Sequence, residues 1–130
     1  MDLGTITSVS RTADVNFKNG QPCGVKVTLV GPDDPKLKKI RESITNKVTA
    51  LQAKGKSLKA DEMTRNRWLI LFNAMESWEW TGTVNFDGDK PELNQKNAFE
   101  VFERLTWFAD SVDEHFSETE SFFAQPVSGD

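Results

Sequence analysis

The spacing of apolar residues after position 35 constrains the fold of this chain more than any other feature. These residues recur every three or four positions, which predicts a single apolar stripe on an amphipathic helix: Leu37, Ile40, Ile44, Val48 and Leu51. Asp34 can cap this helix, and Pro35 suits its first position because proline has no N–H to leave unpaired there. Gly55 is a typical stop. We predict a helix over roughly residues 35–53.

A different periodicity precedes this helix and predicts a β-hairpin. Apolar and polar residues alternate over residues 15–18 and again over residues 25–29, as they do in half-buried strands. Asn19-Gly20 lies between the two runs and favours a tight turn. Gly31-Pro32 then ends the second strand.

Three later stretches predict further helices. The first begins near Ala60. Its apolar residues, Met63, residues 68–72 and Met75, cover so much of its circumference that we expect it to be the central, most buried helix. Asn94 can cap a helix over residues 95–103, and a short strand is possible before it at residues 83–86. A fourth apolar stretch covers residues 105–116, and the sequence leaves open whether residues 104–106 interrupt the helix.

These elements together predict an α+β, mostly α fold, with an N-terminal β-hairpin followed by a small bundle of three to four helices. We assign residues 13–124 to a single domain, residues 1–12 to a flexible N-terminus and residues 125–130 to a flexible C-terminal tail. A chain of 130 residues suits one domain with its own core.

Composition and sequence signals indicate a protein that stays in the cytoplasm where it is made. Cys23 is the only cysteine, so no intramolecular disulfide can form. The first residues lack the basic and apolar regions of a secretory signal. The longest apolar run has five residues, whereas a membrane span needs about 20, so we expect no membrane partner.

Charge is distributed unevenly along the chain. Residues 33–59 hold eight Lys and Arg against three Asp and Glu, a balance of +5, whereas residues 76–130 hold three against thirteen, a balance of −10. These regions are either two solvated helix faces or complementary surfaces for self-association or a charged partner. The overall charge of −4 makes nucleic acid an unlikely partner.

No group of residues indicates catalysis or metal binding. His115 is the only histidine, and its acidic surroundings favour a surface position. Cys23 in the hairpin has no evident activating base. Several acids could pair, but their spacing is also that of a solvated helix face: Glu92, Asp110, Asp113 and Glu114. We expect no enzyme activity, no metal and no cofactor.

Three aromatic residues lie outside the strong helical stripes and are candidates for exposed contacts with a partner: Trp80, Phe122 and Phe123. Exposed aromatic side chains are frequent anchors in protein interfaces. The alternative interpretation is that these rings fold back onto the core.

The order of several short segments carries a family resemblance that covers about residues 15–124. They are Asn19-Gly20-Gln21-Pro22-Cys23-Gly24, the strand end at residues 28–33, the stretch at residues 55–62, Trp78-Glu79-Trp80-Thr81-Gly82, Asp87-Gly88, residues 93–98 and Phe122-Phe123. In this order and spacing the chain resembles the tail assembly chaperones of long-tailed, non-contractile (lambda-like) bacteriophages. The family usually has Ser or Thr where Asn94 stands, a conservative change for a helix cap.

The resemblance implies a function. Proteins of this family bind the tape measure protein, keep it soluble while the tail tube polymerises around it, and are absent from the mature virion. In many relatives a ribosomal frameshift makes a longer form that contacts the tail tube protein. The resemblance therefore implies a chaperone in the host cytoplasm. We also expect self-association, which the uneven charge distribution would allow. Two alternatives remain: a structural head–tail connector or minor tail protein, and a small regulatory nucleic-acid-binding protein.

Overall fold

A computed structural model gives the fold; it describes residues 10–124, with side chains described from residue 10 to residue 119. The elements, in chain order, are β1 (Ser10–Asn16), β2 (Pro22–Val30), α1 (Pro35–Ala53), α2 (Ala60–Ala74), β3 (Met75–Trp80), α3 (Gln95–Arg104) and α4 (Thr106–Ala124). The strands form one antiparallel sheet in the order β1-β2-β3. β1 begins inside the segment that the sequence analysis assigned to the N-terminus, and the proposed C-terminal tail lies outside the described residues.

The third strand corrects the predicted fold class. The hairpin of β1 and β2 is present, but it is not the whole sheet, because β3 pairs with β2 from Val25↔Trp80 to Leu29↔Met75. Over residues 10–124 the fold is therefore a three-stranded antiparallel sheet with four helices rather than a hairpin followed by a helical bundle. The predicted strand at residues 83–86 does not form; among these residues only Phe86 makes an isolated bridge, with Asp89.

The sheet is covered by helices on one face only. Val25, Val27 and Leu29 of β2 are buried, whereas Lys26 between them is exposed, as the alternation in the sequence predicted. Thr12 and Thr28 form a cross-strand hydroxyl pair at 2.9 Å on the uncovered face. This alternation places the apolar core between the sheet and the helices.

The predicted helix boundaries and caps are largely confirmed. Asp34 accepts hydrogen bonds from the backbone N–H groups of Lys36 and Leu37 at the start of α1, and Asn94 accepts one from Asn97 N–H at the start of α3. The helix is interrupted within residues 104–106, since Leu105 leaves the helical conformation between α3 and α4.

The central helix is α4 and not α2, which corrects a further expectation. Only Leu71 and Ala74 of α2 are buried, and its large residues Trp68, Ile70 and Phe72 remain half-buried. α4 contacts the sheet as well as α2 and α3, and more of its residues are buried: Phe108, Ala109, Ser111, Val112, Phe116 and Thr119.

Two side chains of α4 bind the backbone of the edge strand β1. Asn16 N–H donates to Ser111 Oγ at 2.8 Å, and His115 Nε2 lies 2.7 Å from the carbonyl oxygen of Asp14. Because a carbonyl oxygen can only accept, Nε2 carries the proton. His115 is thus a structural bridge between α4 and β1 rather than the surface residue that the sequence suggested.

The segment between β3 and α3 folds back on the domain. The Trp78 indole N–H donates to Pro91 O at 2.9 Å, and Arg104 of α3 pairs with Asp87 in the Asp87-Gly88 turn. Gly24 of β2 passes directly beneath this segment, because a Cβ at Gly24 would lie 2.5 Å from Val84 Cγ2. The segment is thereby held against the sheet.

Candidate protein-binding surfaces

Of the two interpretations of Trp80, the structure supports the one in which the ring folds back onto the core. Its side chain is only 8% exposed, and its ring stacks on Phe108 with centroids 6.0 Å apart and planes 17° from parallel. β3 explains this burial, because alternation along the strand turns Trp80 towards the same side as its partner Val25. Phe122 and Phe123 belong to the last turns of α4, but their side chains lie outside the described residues.

Two other large apolar residues are exposed, and the sequence analysis did not select them. Phe17 is 45% exposed and Met63 is 58% exposed. Phe17 was assigned to a strand, but it comes one residue after β1 ends and begins the turn, a position that could have signalled exposure. Met63 lies in the first turn of α2. It is one of the apolar residues from which we expected this helix to be the most buried, and for Met63 that expectation is wrong.

Met63 borders a depression of about 440 Å³ between α1, α2 and α4, which we call the helical groove. Its apolar lining comes from Ile44, Leu58, Met63, Ile70, Leu71 and Phe116. Leu71 and Phe116 are buried and form its base, whereas Ile44, Leu58 and Ile70 are half-buried. The stripe of α1 is therefore incompletely covered by the domain, since Val48 and Leu51 are half-buried as well.

Charged side chains form one wall of the helical groove. Arg67 of α2 donates to Asp110 and Asp113 of α4, each at 2.9 Å, and thereby joins the two helices. Burial of Arg67 acts to lower its pKa, but the hydrogen bonds to the two carboxylates outweigh burial and raise it. Arg41 of α1 lies 5.0 Å from the ring centre of Phe116. These contacts join α2 to α4 and bring α1 close to Phe116 at this wall.

A second depression, of about 310 Å³, lies between the hairpin turn, the segment after β3 and the α3–α4 corner; we call it the aromatic pocket. Its lining is mostly aromatic and aliphatic: Phe17, Cys23, Val25, Trp80, Val84, Asn85, Leu105, Trp107 and Phe108. Phe17 and Trp107 form its outer wall, with ring centroids 5.0 Å apart.

Two titratable side chains, Cys23 and His115, lie in the hairpin and on α4. Burial raises the pKa of the Cys23 thiol above its ordinary value, which lowers the thiolate fraction at neutral pH. His115 Nδ1 lies 3.6 Å from Glu118 and has no hydrogen-bond partner among the residues that the structure describes. Within residues 10–119, no three His, Cys, Asp or Glu side chains are grouped to hold a metal ion. None of the described helices is both long and apolar enough to span a membrane.

Comparisons with protein-family models, with curated proteins and with solved structures find no match to this chain.

Proposed function

We propose that this protein is a tail assembly chaperone of long-tailed, non-contractile bacteriophages. It binds the tape measure protein, keeps that protein soluble in the host cytoplasm and promotes polymerisation of the tail tube, and it is absent from the mature virion. It acts by binding and not as an enzyme, so it uses no cofactor. A frameshift-extended form would contact the tail tube protein.

The observation that carries this proposal is the helical groove. A chaperone for a long helical client needs a surface that covers the client's apolar stripe, and helix-in-groove binding provides such a surface. Ile44, Leu58 and Met63 supply apolar area that the domain itself does not bury. Burial of one large apolar side chain is worth about 1.5–3 kcal/mol, so a few contacts give weak and reversible binding. Repetition of such contacts along one client would supply avidity.

The lysines of α1 suit a protein that stays in solution while part of its apolar area is uncovered. The exposed Lys38, Lys39 and Lys47 lie on α1 outside its apolar stripe, and they are not part of the groove lining. They keep the outer surface of α1 hydrated.

Co-expression with the tape measure protein of the same phage tests this function. We expect the tape measure protein to be insoluble when made alone and soluble when made with this chain. Ile44→Asp should abolish this effect, because it puts a charge into the apolar lining of the groove. Thr49→Asp, at an exposed position of the same helix, is the matched control and should leave the effect intact.

Two results would contradict the proposal. One is a tape measure protein that stays insoluble although this chain is folded and abundant. The other is detection of this chain by mass spectrometry, at structural copy number, in purified virions, because that result identifies a tail or connector component instead.

A further inference from the structure

One polar side chain lies in the apolar lining of the helical groove without a hydrogen-bond partner. Asn66 of α2 is half-buried and lines the groove, and among the residues that the structure describes nothing bonds to its amide. Asn73 of the same helix differs, because its Nδ2 donates to the carbonyl oxygen of Leu69 at 2.7 Å. The Asn66 amide is not sealed inside the domain, since its atoms keep accessible surface. An occupant of the groove can therefore reach it.

Asn66 lies where a bound helix would cover it. Met63 precedes it by three residues and Ile70 follows it by four, so the three side chains lie along one face of α2. α2 contacts both α1 and α4, and residues of those two helices form the sides of the groove. A helix that packs its apolar stripe against Met63 and Ile70 therefore passes over the Asn66 amide and removes its water.

The other polar groups of the lining are paired, packed on a ring or exposed. Arg67 and Asp113 pair with each other at 2.9 Å, and Arg41 packs over an aromatic ring. Ser117 is exposed, so its hydroxyl can stay hydrated when the groove is filled. Within the described residues, Asn66 is therefore the half-buried polar side chain of the lining whose hydrogen-bonding groups remain open to an occupant.

Loss of water makes this amide a source of selectivity. A polar group that loses its water and gains no partner weakens binding about tenfold or more. Interfaces use such desolvated groups to reject wrong partners. A carboxamide donates through its nitrogen and accepts through its oxygen, so another carboxamide satisfies it most fully. In coiled coils a single buried asparagine sets the register of the paired helices in this way.

We propose that Asn66 selects the segments of the client that enter the helical groove. The preferred segment is an amphipathic helix whose apolar stripe is interrupted once by Asn or Gln. This residue pairs with the Asn66 amide and fixes the register of the helix, whereas a helix with an uninterrupted stripe binds less tightly. The inference rests on the proposed function, because it takes the tape measure protein as the occupant.

Binding of synthetic segments of the tape measure protein tests this role. Overlapping segments of about 20 residues, which span about 30 Å as helices, cover the tape measure protein of the same phage. Each is titrated with the full-length chain, and fluorescence anisotropy gives its Kd. We expect the tightest segment to carry Asn or Gln in its apolar stripe. Replacement of that residue by Leu should weaken binding about tenfold.

Substitution of Asn66 provides the reciprocal test. Asn66→Leu should reverse the preference, so that the Leu form of the segment binds more tightly than the native form. Asn66→Ala removes the amide without adding bulk and should abolish the preference. Asn46→Leu, at an exposed position of α1 outside the groove lining, is the matched control and should retain it. Circular dichroism verifies that each variant is folded.

Three results would overturn the role of Asn66: tightest segments with an uninterrupted stripe, an equal effect of Asn66→Leu on both forms of the segment, or an unchanged preference in Asn66→Ala. Any of them leaves the proposed function standing if segments still bind the wild-type chain and Ile44→Asp abolishes that binding. Failure of every segment to bind the folded wild-type chain would instead refute the proposed function, and this inference with it.

Discussion

Replacement of Ser111 by alanine should destabilise the domain through a single backbone group. Ser111 is 6% exposed, and its Oγ accepts from Asn16 N–H at 2.8 Å. The substitution leaves that part-buried N–H unsatisfied, which costs about 1–3 kcal/mol. For a domain of this length we expect the melting temperature to fall by at least about 4 °C. The Cβ is retained, so cavity formation adds little to this loss.

Ser117→Ala provides the matched control, because Ser117 is exposed on the same helix. Any gain in helix propensity from Ser to Ala affects both variants equally and cancels in the comparison. Thermal unfolding measured by circular dichroism gives the two melting temperatures, and hydrogen exchange measures protection of the Asn16 amide. Only Ser111→Ala should unfold earlier and exchange this amide faster. Equal melting temperatures, with unchanged protection of Asn16, would refute the view that the Ser111 hydroxyl stabilises the end of β1 against α4.

Three further predictions concern burial, charge and backbone geometry. Leu71→Ala should lower the free energy of unfolding by about 2–5 kcal/mol in urea titrations, whereas Met63→Gln, at a position 58% exposed, should cost about 1 kcal/mol or less. Arg104 lowers the pKa of Asp87, so this pair stabilises the fold above the ordinary pKa of an aspartate and loses its effect as the pH falls; Arg104→Gln should raise that pKa, as measured by carboxyl resonances. Gly24→Ala should reduce the melting temperature strongly, since φ is +98° and the new Cβ would lie 2.5 Å from a side-chain carbon.

Local sequence signals were sufficient to predict the ends of those elements that carry a capping residue or a turn dipeptide. Asp34 and Asn94 cap α1 and α3 at the positions that the sequence indicated, and the turn containing Asn19-Gly20 joins β1 to β2. In each case the decisive interaction lies within a few residues of the marker. Sequence patterns therefore predicted these boundaries without knowledge of the tertiary structure.

The third strand could not be predicted in this way. α2 changes directly into β3 between Ala74 and Met75, with no glycine or proline to mark the end of the helix. β3 forms a strand because it pairs with the edge of β2, which lies some fifty residues earlier in the chain. This pairing is a non-local interaction. The sequence left the position of Trp80 open for the same reason, because a residue outside any recognised stripe has no predicted buried side.

The exposed surfaces could not be predicted from the sequence for a related reason. Apolar periodicity shows that α1 has one apolar face, but it does not show how much of that face the rest of the domain covers. Ile44, Val48 and Leu51 fit the stripe as well as Leu37 does, yet only Leu37 is buried. Incomplete coverage becomes visible only when α2 and α4 are in place, and the helical groove is its result.

The most direct measurement of the central claim is site-specific photocrosslinking in cells that make both this chain and the tape measure protein. A photoreactive phenylalanine analogue is placed at Met63, which borders the helical groove, or at Asp89, which is exposed in the turn after β3. Our account predicts a covalent adduct with the tape measure protein from position 63 and none from position 89. Equal adducts from both positions, or no adduct from position 63 while the client remains soluble, would contradict it.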